Sequence, residues 1–165
     1  PVSHGLLPFI AKDIYEIDAV GLGHLAAAFS FGALAASFGL AATGGPKNAP
    51  RMVVITLVAW YLALIVFAFF ESKHGGLVML IIVGVFHGLS MTTMFVAMLN
   101  TVADQFRARV MGLRILAVFG LPLGLMASGV FIDSFGFVGT IISYCLVGIL
   151  VAVLITYRWR HDIWY

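Results

Sequence analysis

The chain has 165 residues, of which 62% are hydrophobic and only 10% are Asp, Glu, Lys or Arg, with a formal net charge of +2. Mean hydropathy is +1.12 and the isoelectric point is near 9.0. Soluble domains run at about 45–50% apolar and about 25% charged residues, and a short chain buries the smaller share of its surface. This composition therefore argues against a soluble enzyme, a nucleic-acid binder, a disordered tail and a disulfide-stapled secreted domain. The lone cysteine, Cys145, lies inside an apolar run, so it has no disulfide partner and joins no metal-ligand cluster. No metal, cofactor or nucleic-acid partner is expected; the expected surroundings are a lipid bilayer.

A membrane-crossing helix needs about 20 mostly apolar residues to traverse about 30 Å of hydrocarbon, and the charges divide this chain into runs of that length. The opening Pro1-Val2-Ser3 has neither a basic stretch nor a small-residue cleavage site, so no secretory signal is expected and the chain reads as the continuation of a longer polypeptide. Residues Gly5 to Ile10 read as the last turns of a helix that begins upstream. After a loop at Ala11–Gly21 come five complete spans: Leu22–Ala42, Met52–Phe70, Leu77–Leu99, Leu113–Ile132 and Phe137–Tyr157. Their length and their Ala, Leu and Met content favour helices over strands, and the short alternating segments of a membrane barrel are absent. The expected fold class is all-α: one polytopic transmembrane helix bundle over residues 1–165.

Alternating the loops across the membrane separates the charges. One side collects Lys47, Arg51, Arg107, Arg109, Arg114, Arg158 and Arg160, seven of the nine basic residues. The other holds Lys12 and Lys73 with Asp13, Glu16, Asp18, Glu71 and Asp133. Basic residues stay on the cytoplasmic side of short loops, which predicts a cytoplasmic carboxyl end, with Tyr157, Trp159 and Trp164 at the inner interface.

The spans differ in texture. The second carries bulky side chains all round and no glycine, as a lipid-facing helix would. The first, third and fourth carry small residues every four positions: Ala28, Gly32 and Ala36; Gly84 and Gly88; Gly120, Gly124 and Ser128. Small residues at that interval let membrane helices approach closely, since no hydrophobic force drives them together in lipid. These three helices are expected to form an inner ring with the second and fifth outside. A glycine-rich span followed by a bulkier one occurs twice, giving a faint three-plus-three pattern with inverted orientation, an architecture of secondary transporters.

The stretch Leu6-Leu-Pro-Phe-Ile-Ala-Lys-Asp13, followed by Gly21-Leu-Gly23 and an alanine-rich helix, resembles the seventh-to-eighth helix region of major facilitator superfamily transporters. Asn100 to Leu113, with Arg107-Ala-Arg109-Val-Met-Gly112 at its core, is similar to their loop between the tenth and eleventh helices, most of all in the bacterial siderophore and drug exporter branch. The loop Ala42–Arg51 lacks the Asp and paired Arg that many members place there. The resemblance spans about Leu6 to Arg160 and implies a carboxy-terminal half in the bacterial inner membrane. That half would work with a missing amino-terminal half of the same polypeptide and export a small amphiphilic molecule by alternating access, with proton coupling as one option.

Two groups of residues follow as candidates. Asp104 lies three residues before Arg107 and meets it on one helix face; the resemblance implies that Asp104, Arg107, Arg109 and Gly112 form a cytoplasmic gate, against the plainer role of arginines as topology anchors. His87 is the most polar group deep in a span, with Ser90, Met91 and Met94 on neighbouring turns, and an ionisable residue in the membrane marks a functional site by default. These four are candidate substrate-cavity residues, against ordinary packing. His24 reads as a solvated edge residue. No Asp or Glu lies within a span. Gly88-Leu-Ser90 superficially resembles an intramembrane protease nucleophile, but no histidine base faces it from the later spans, so no enzyme is expected. The alternative class is a non-transporting subunit or anchor of a larger complex.

Overall fold

The computed structural model describes residues 7, 10–15, 17–46, 48–70 and 72–158. Among them all regular structure is helical: a short π-helical turn at Ile10–Ile14, then α1 (Ala19–Ala42), α2 (Ala49–Phe67), α3 (Lys73–Thr101), α4 (Asp104–Phe119) and α5 (Leu121–Arg158). The predicted helix end at Gly5–Ile10 lies largely outside the described residues.

Each boundary has a local cause. Asp18 caps α1 by accepting a 2.9 Å hydrogen bond from the Gly21 amide, and Ser72 does the same for α3 through the Gly75 amide at 3.2 Å, both satisfying donors that a helix start leaves unpaired. Pro50 enters the first turn of α2, where a missing N–H costs nothing. At the far end of α1, Gly44 and Gly45 adopt φ of 80° and 90°, a left-handed exit that only glycine takes without strain. The caps place α1 and α3 a few residues earlier than the apolar runs alone predict, and α2 ends at Phe67 rather than Phe70.

Four described helices are long and apolar enough to cross a membrane: Ala19–Ala42, Ala49–Phe67, Lys73–Thr101 and Met126–Arg158. The protein is thus an all-helical chain with the helices of an integral membrane protein. The fourth expected span, Leu113–Ile132, is not a continuous helix. Helix starts already at Asp104, before the expected start at Leu113, and breaks in a turn at Gly120. Pro122 lies two residues on; proline has no N–H to give the preceding turn and its ring crowds the carbonyl four residues back.

α5 is not straight either. Gly136 has φ 73° and ψ 173°, and the Tyr144 hydroxyl donates to the Gly124 carbonyl at 3.1 Å. Twenty residues of straight helix would separate those groups by about 30 Å, so the chain folds back at Gly136. The Phe131 and Tyr144 rings, edge to face at 5.9 Å, lie across the same hairpin. The sequence-level division near residues 132–137 is this reversal.

The bundle is organised around α3, which packs against α1 on one side and α2 on another, while α2 also packs against α5. α2 thus lies against both α3 and α5, with a smaller share of its residues buried than in α1 or α3. Its Tyr61 ring fills the space in front of Gly148 on α5.

The closest approach is between α1 and α3. A side chain on Gly32 would strike the Ile81 carbonyl, and one on Gly84 the Phe29 carbonyl; on Gly88 its first carbon would lie 2.8 Å from the Ala33 Cα. These are backbone atoms and cannot move aside. Phe29 with Gly84, Ala33 with Gly88, and Ser37 with Thr92 are each 55 residues apart, so the two helices run parallel in one fixed register. Gly39, by contrast, faces open space.

Gly84→Val and Gly88→Leu are expected to destabilise the bundle by about 1–3 kcal/mol or more, the cost of overpacking a tight contact. Gly39→Ala should stabilise it by about 0.5–1 kcal/mol through helix propensity. Thermal unfolding in detergent compares the three, and equal midpoints would refute the glycine contact.

Candidate functional site

The α1–α3 seam and its flanks carry several of the interior polar groups. At the level of Ser37 the two helices exchange a hydroxyl bond: Ser37 Oγ and Thr92 Oγ1 are 3.0 Å apart, and Ser37 also donates to the Ala33 carbonyl at 2.9 Å. One position along, the Thr93 hydroxyl is fully buried with no hydrogen-bond partner among the described residues. Ser90 is buried on the same helix. Four polar residues, His87, Ser90, Thr92 and Thr93, thus fall within two turns of an otherwise apolar membrane helix.

His87 sits where α1, α2 and α3 meet. Its ring centroid lies 5.1 Å from Phe29 of α1 and 5.1 Å from Trp60 of α2, edge to face with the indole. Such aromatic contacts add about 0.5–1.5 kcal/mol each beyond the area they bury. Trp60 stacks on Tyr61 at 5.1 Å, and its indole N–H is buried without a partner among the described residues. The imidazole therefore joins three helices through an aromatic cluster.

The arginine end is built by a second hairpin. After α3 ends, Val102 and Ala103 turn the chain into α4, which returns along α3. Arg107 makes a 2.8 Å ion pair with Asp104, the partner its spacing predicts, and its guanidinium also donates to the Leu99 carbonyl at 3.0 Å. That bond satisfies one of the carbonyls a helix end leaves open and fastens the two helices together. Both partners are largely exposed, so the ion pair itself contributes only about 0.2–1 kcal/mol. Arg109 lies 5.8 Å from the Phe106 ring and is exposed. Gly112 is exposed, with nothing near it.

Arg114, at the edge of the expected fourth span, reaches across to α3. Its guanidinium carbon lies 3.6 Å from the centroid of the Phe95 ring, with a long 4.0 Å contact to the Met91 sulfur. An arginine over an aromatic face is worth about 0.5–2 kcal/mol. Sequence spacing gave no sign of this pairing, since 19 and 23 residues separate the partners and only the α3–α4 hairpin joins them.

Of the predicted cavity residues, the structure brings His87 into the three-helix aromatic cluster, buries Ser90, leaves Met94 half-buried and sets Met91 beneath Arg114. The two described cavities lie elsewhere. One of about 340 Å³ is at the opposite end, among Tyr15, Phe67, Phe70 and the Gly136 reversal. There the Tyr15 hydroxyl donates to the Phe70 carbonyl at 2.8 Å, and burial raises its phenol above the ordinary 10.0. The other, about 160 Å³, is lined by Phe131, Ser143, Tyr144 and Val147. Of the predicted packing residues, Gly32, Ala36, Gly84 and Gly88 are buried and Ala28 is half-buried. Gly120 is exposed at a turn, and Gly124 serves through its carbonyl instead. His24 is exposed, as expected.

The chain matches no protein-family model, no curated protein and no solved structure. What it does is therefore argued from its own residues.

A buried hydroxyl without a partner costs about 1–3 kcal/mol of desolvation. Thr93→Val, which keeps the shape and deletes that hydroxyl, is expected to raise stability by about 1 kcal/mol or more, while Thr92→Val, which breaks the bond to Ser37, should lower it. A fall with Thr93→Val, read by detergent or thermal unfolding, would show that the hydroxyl has a partner after all.

Proposed function

We propose that the chain is the carboxy-terminal helical part of a secondary active transporter, of the major facilitator type its sequence resembles. It would move a small amphiphilic molecule, outward in preference, by alternating access in a bacterial inner membrane, with the carboxyl end in the cytoplasm and an amino-terminal half of the same polypeptide completing the pathway. In this reading the full set of crossings is five, with α4 and the first leg of α5 together making the fourth and residues 137–158 the fifth.

The observation that carries it is the cluster of polar residues on α3, His87, Ser90, Thr92 and Thr93, in a membrane helix packed backbone against backbone on α1. Polar groups inside a bilayer are expensive and concentrate on substrate and ion pathways. An anchor or passive subunit needs none of them. Two further features fit. Close, side-chain-free contacts such as α1–α3 keep helices together as a rigid unit, and rigid units that rock against each other are how inverted-repeat transporters alternate access. In this reading Asp104, Arg107 and Arg109, at the mouth of the α3–α4 hairpin, would open and close the cytoplasmic side. No catalytic step, cofactor or metal belongs to this proposal; His87 is its candidate for a proton carrier, since imidazole titrates near physiological pH.

The test is dye efflux from cells expressing the whole reading frame that contains this chain. Expected are energy-dependent extrusion of an amphiphilic dye, its loss when the proton gradient is collapsed, and a drop of about tenfold or more with His87→Ala, as for relay groups in general. The 165-residue chain alone, reconstituted in vesicles, should carry no flux. Saturable transport by the isolated chain, or none by the whole reading frame, would overturn the proposal.

A further inference from the structure

Five aromatic side chains, Tyr15, Phe67, Phe70, Phe135 and Phe137, line the cavity of about 340 Å³. They come from three parts of the chain: the turn before α1, the end of α2 and the reversal of α5. Their positions have local causes. Gly75 and Gly76, in the first turn of α3, leave room for the Phe70 and Tyr15 rings, and a side chain on either glycine would strike them. The Tyr15 hydroxyl ties those two residues together through the Phe70 carbonyl at 2.8 Å. The positive φ of Gly136 turns the chain between Phe135 and Phe137, so that both border the same space. Its volume falls in the range of small-molecule sites, about 300–1,000 Å³.

The electrostatics of this end favour a cation. No Lys, Arg or His is among the described lining residues. α2 ends at Phe67 and the first leg of α5 at the Gly136 break. Each brings a carbonyl end, worth about −0.5 of a charge, while the second leg of α5 brings one amide end of opposite sign. In sequence the lining segments are bordered by Asp13, Glu16, Asp18, Glu71 and Asp133 against Lys12 and Lys73, five acids to two bases. Surroundings of one sign raise the local concentration of the opposite ion. Aromatic rings attract cations through their electron-rich faces, and clustered rings are how proteins hold quaternary ammonium groups.

We propose that this cavity binds a small free quaternary ammonium solute, of choline size, among its five aromatic rings. The rings and the two carbonyl ends supply the attraction, and neither gives a neutral molecule of the same shape a comparable gain. Gly76 stands eleven residues before His87, about 16 Å along α3, so the site is separate from the polar cluster of that helix. It stands whether or not the protein transports, and its failure would leave the transport proposal untouched.

The experiment uses the purified chain in dodecyl maltoside, a detergent without an ammonium group. Equilibrium dialysis against radiolabelled choline gives its affinity, and competition gives that of the neutral isostere 3,3-dimethylbutan-1-ol. Choline is expected to bind about tenfold or more tightly than the isostere, as cation–aromatic attraction in a desolvated site requires. Phe135 is 67% exposed, so its replacement opens no core. Phe135→Leu should weaken choline by about fivefold or more while leaving the isostere within about twofold, and Phe135→Tyr, which keeps a ring, should bind choline as the native chain does. Phe131→Leu, one turn away and lining the other cavity, should alter neither. Should Phe135→Leu fail to fold, Phe70→Leu takes its place with the same expectation. Choline binding that persists in nanodiscs of phosphatidylcholine supports a free solute; binding abolished there assigns the cavity to a lipid headgroup and overturns that assignment. Absent choline binding, equal affinity for choline and isostere, unchanged choline binding in Phe135→Leu or its replacement, or an equal loss with Phe131→Leu overturns the proposal.

Discussion

Three positions on two helices admit no side chain. Gly32, Gly84 and Gly88 place the backbones of α1 and α3 against each other, so closely that one added carbon meets a carbonyl or Cα. In lipid, where apolar side chains gain little by leaving a neighbour they resemble, such close packing is the main force available for holding helices together. The contact sets the register of a parallel pair. Two parallel neighbours need a helix running back between their ends, and α2 supplies it. From that follow the placement of His87 between Phe29 and Trp60, the hydroxyl bond from Ser37 to Thr92, and the layer of α2 that carries α5.

The polar groups are distributed by what each end of the bundle can satisfy. Hydroxyls in the interior mostly return to their own helix: Thr56 to Met52, Thr140 to Gly136, Thr156 to Ala152. This is the cheapest way to keep a hydroxyl in an apolar medium, because the carbonyl four residues back is always in reach. Thr93 and Trp60 depart from that pattern. Two arginines of α4 differ in their partners. Arg107 stays at the helix end, holding a carboxylate and a carbonyl, whereas Arg114 lies over the face of the Phe95 ring. The two are seven residues apart on one helix, and the difference between them is set by α3, which offers Leu99 to one and Phe95 to the other.

The last helix shows how much one glycine decides. Without the positive φ of Gly136, residues 121–158 would form one straight rod. With it they fold into a hairpin pinned by Tyr144 against Gly124, and the second leg presents Gly148 to Tyr61 and Cys145 to the core. The break at Gly120 acts in the same direction, since it frees α4 to follow α3 while the next segment follows its own partner.

Composition and charge alone determined that this is a helical membrane chain and where most of its apolar runs lie, because a bilayer demands length and apolarity that few other settings do. Spacing alone also paired Asp104 with Arg107 and marked Gly32, Gly84 and Gly88, since both rules act over one or two turns of a helix. It drew the 113–132 run as one unbroken span, gave no sign that Tyr61 packs on Gly148, and did not show that Arg114 lies over Phe95. Those were decided by contacts across 19 to 87 residues of chain, from Arg114 on Phe95 to Tyr61 on Gly148. A helix period shows which face of a helix is apolar. Which helix lies against that face depends on the register that the α1–α3 glycines fix in three dimensions.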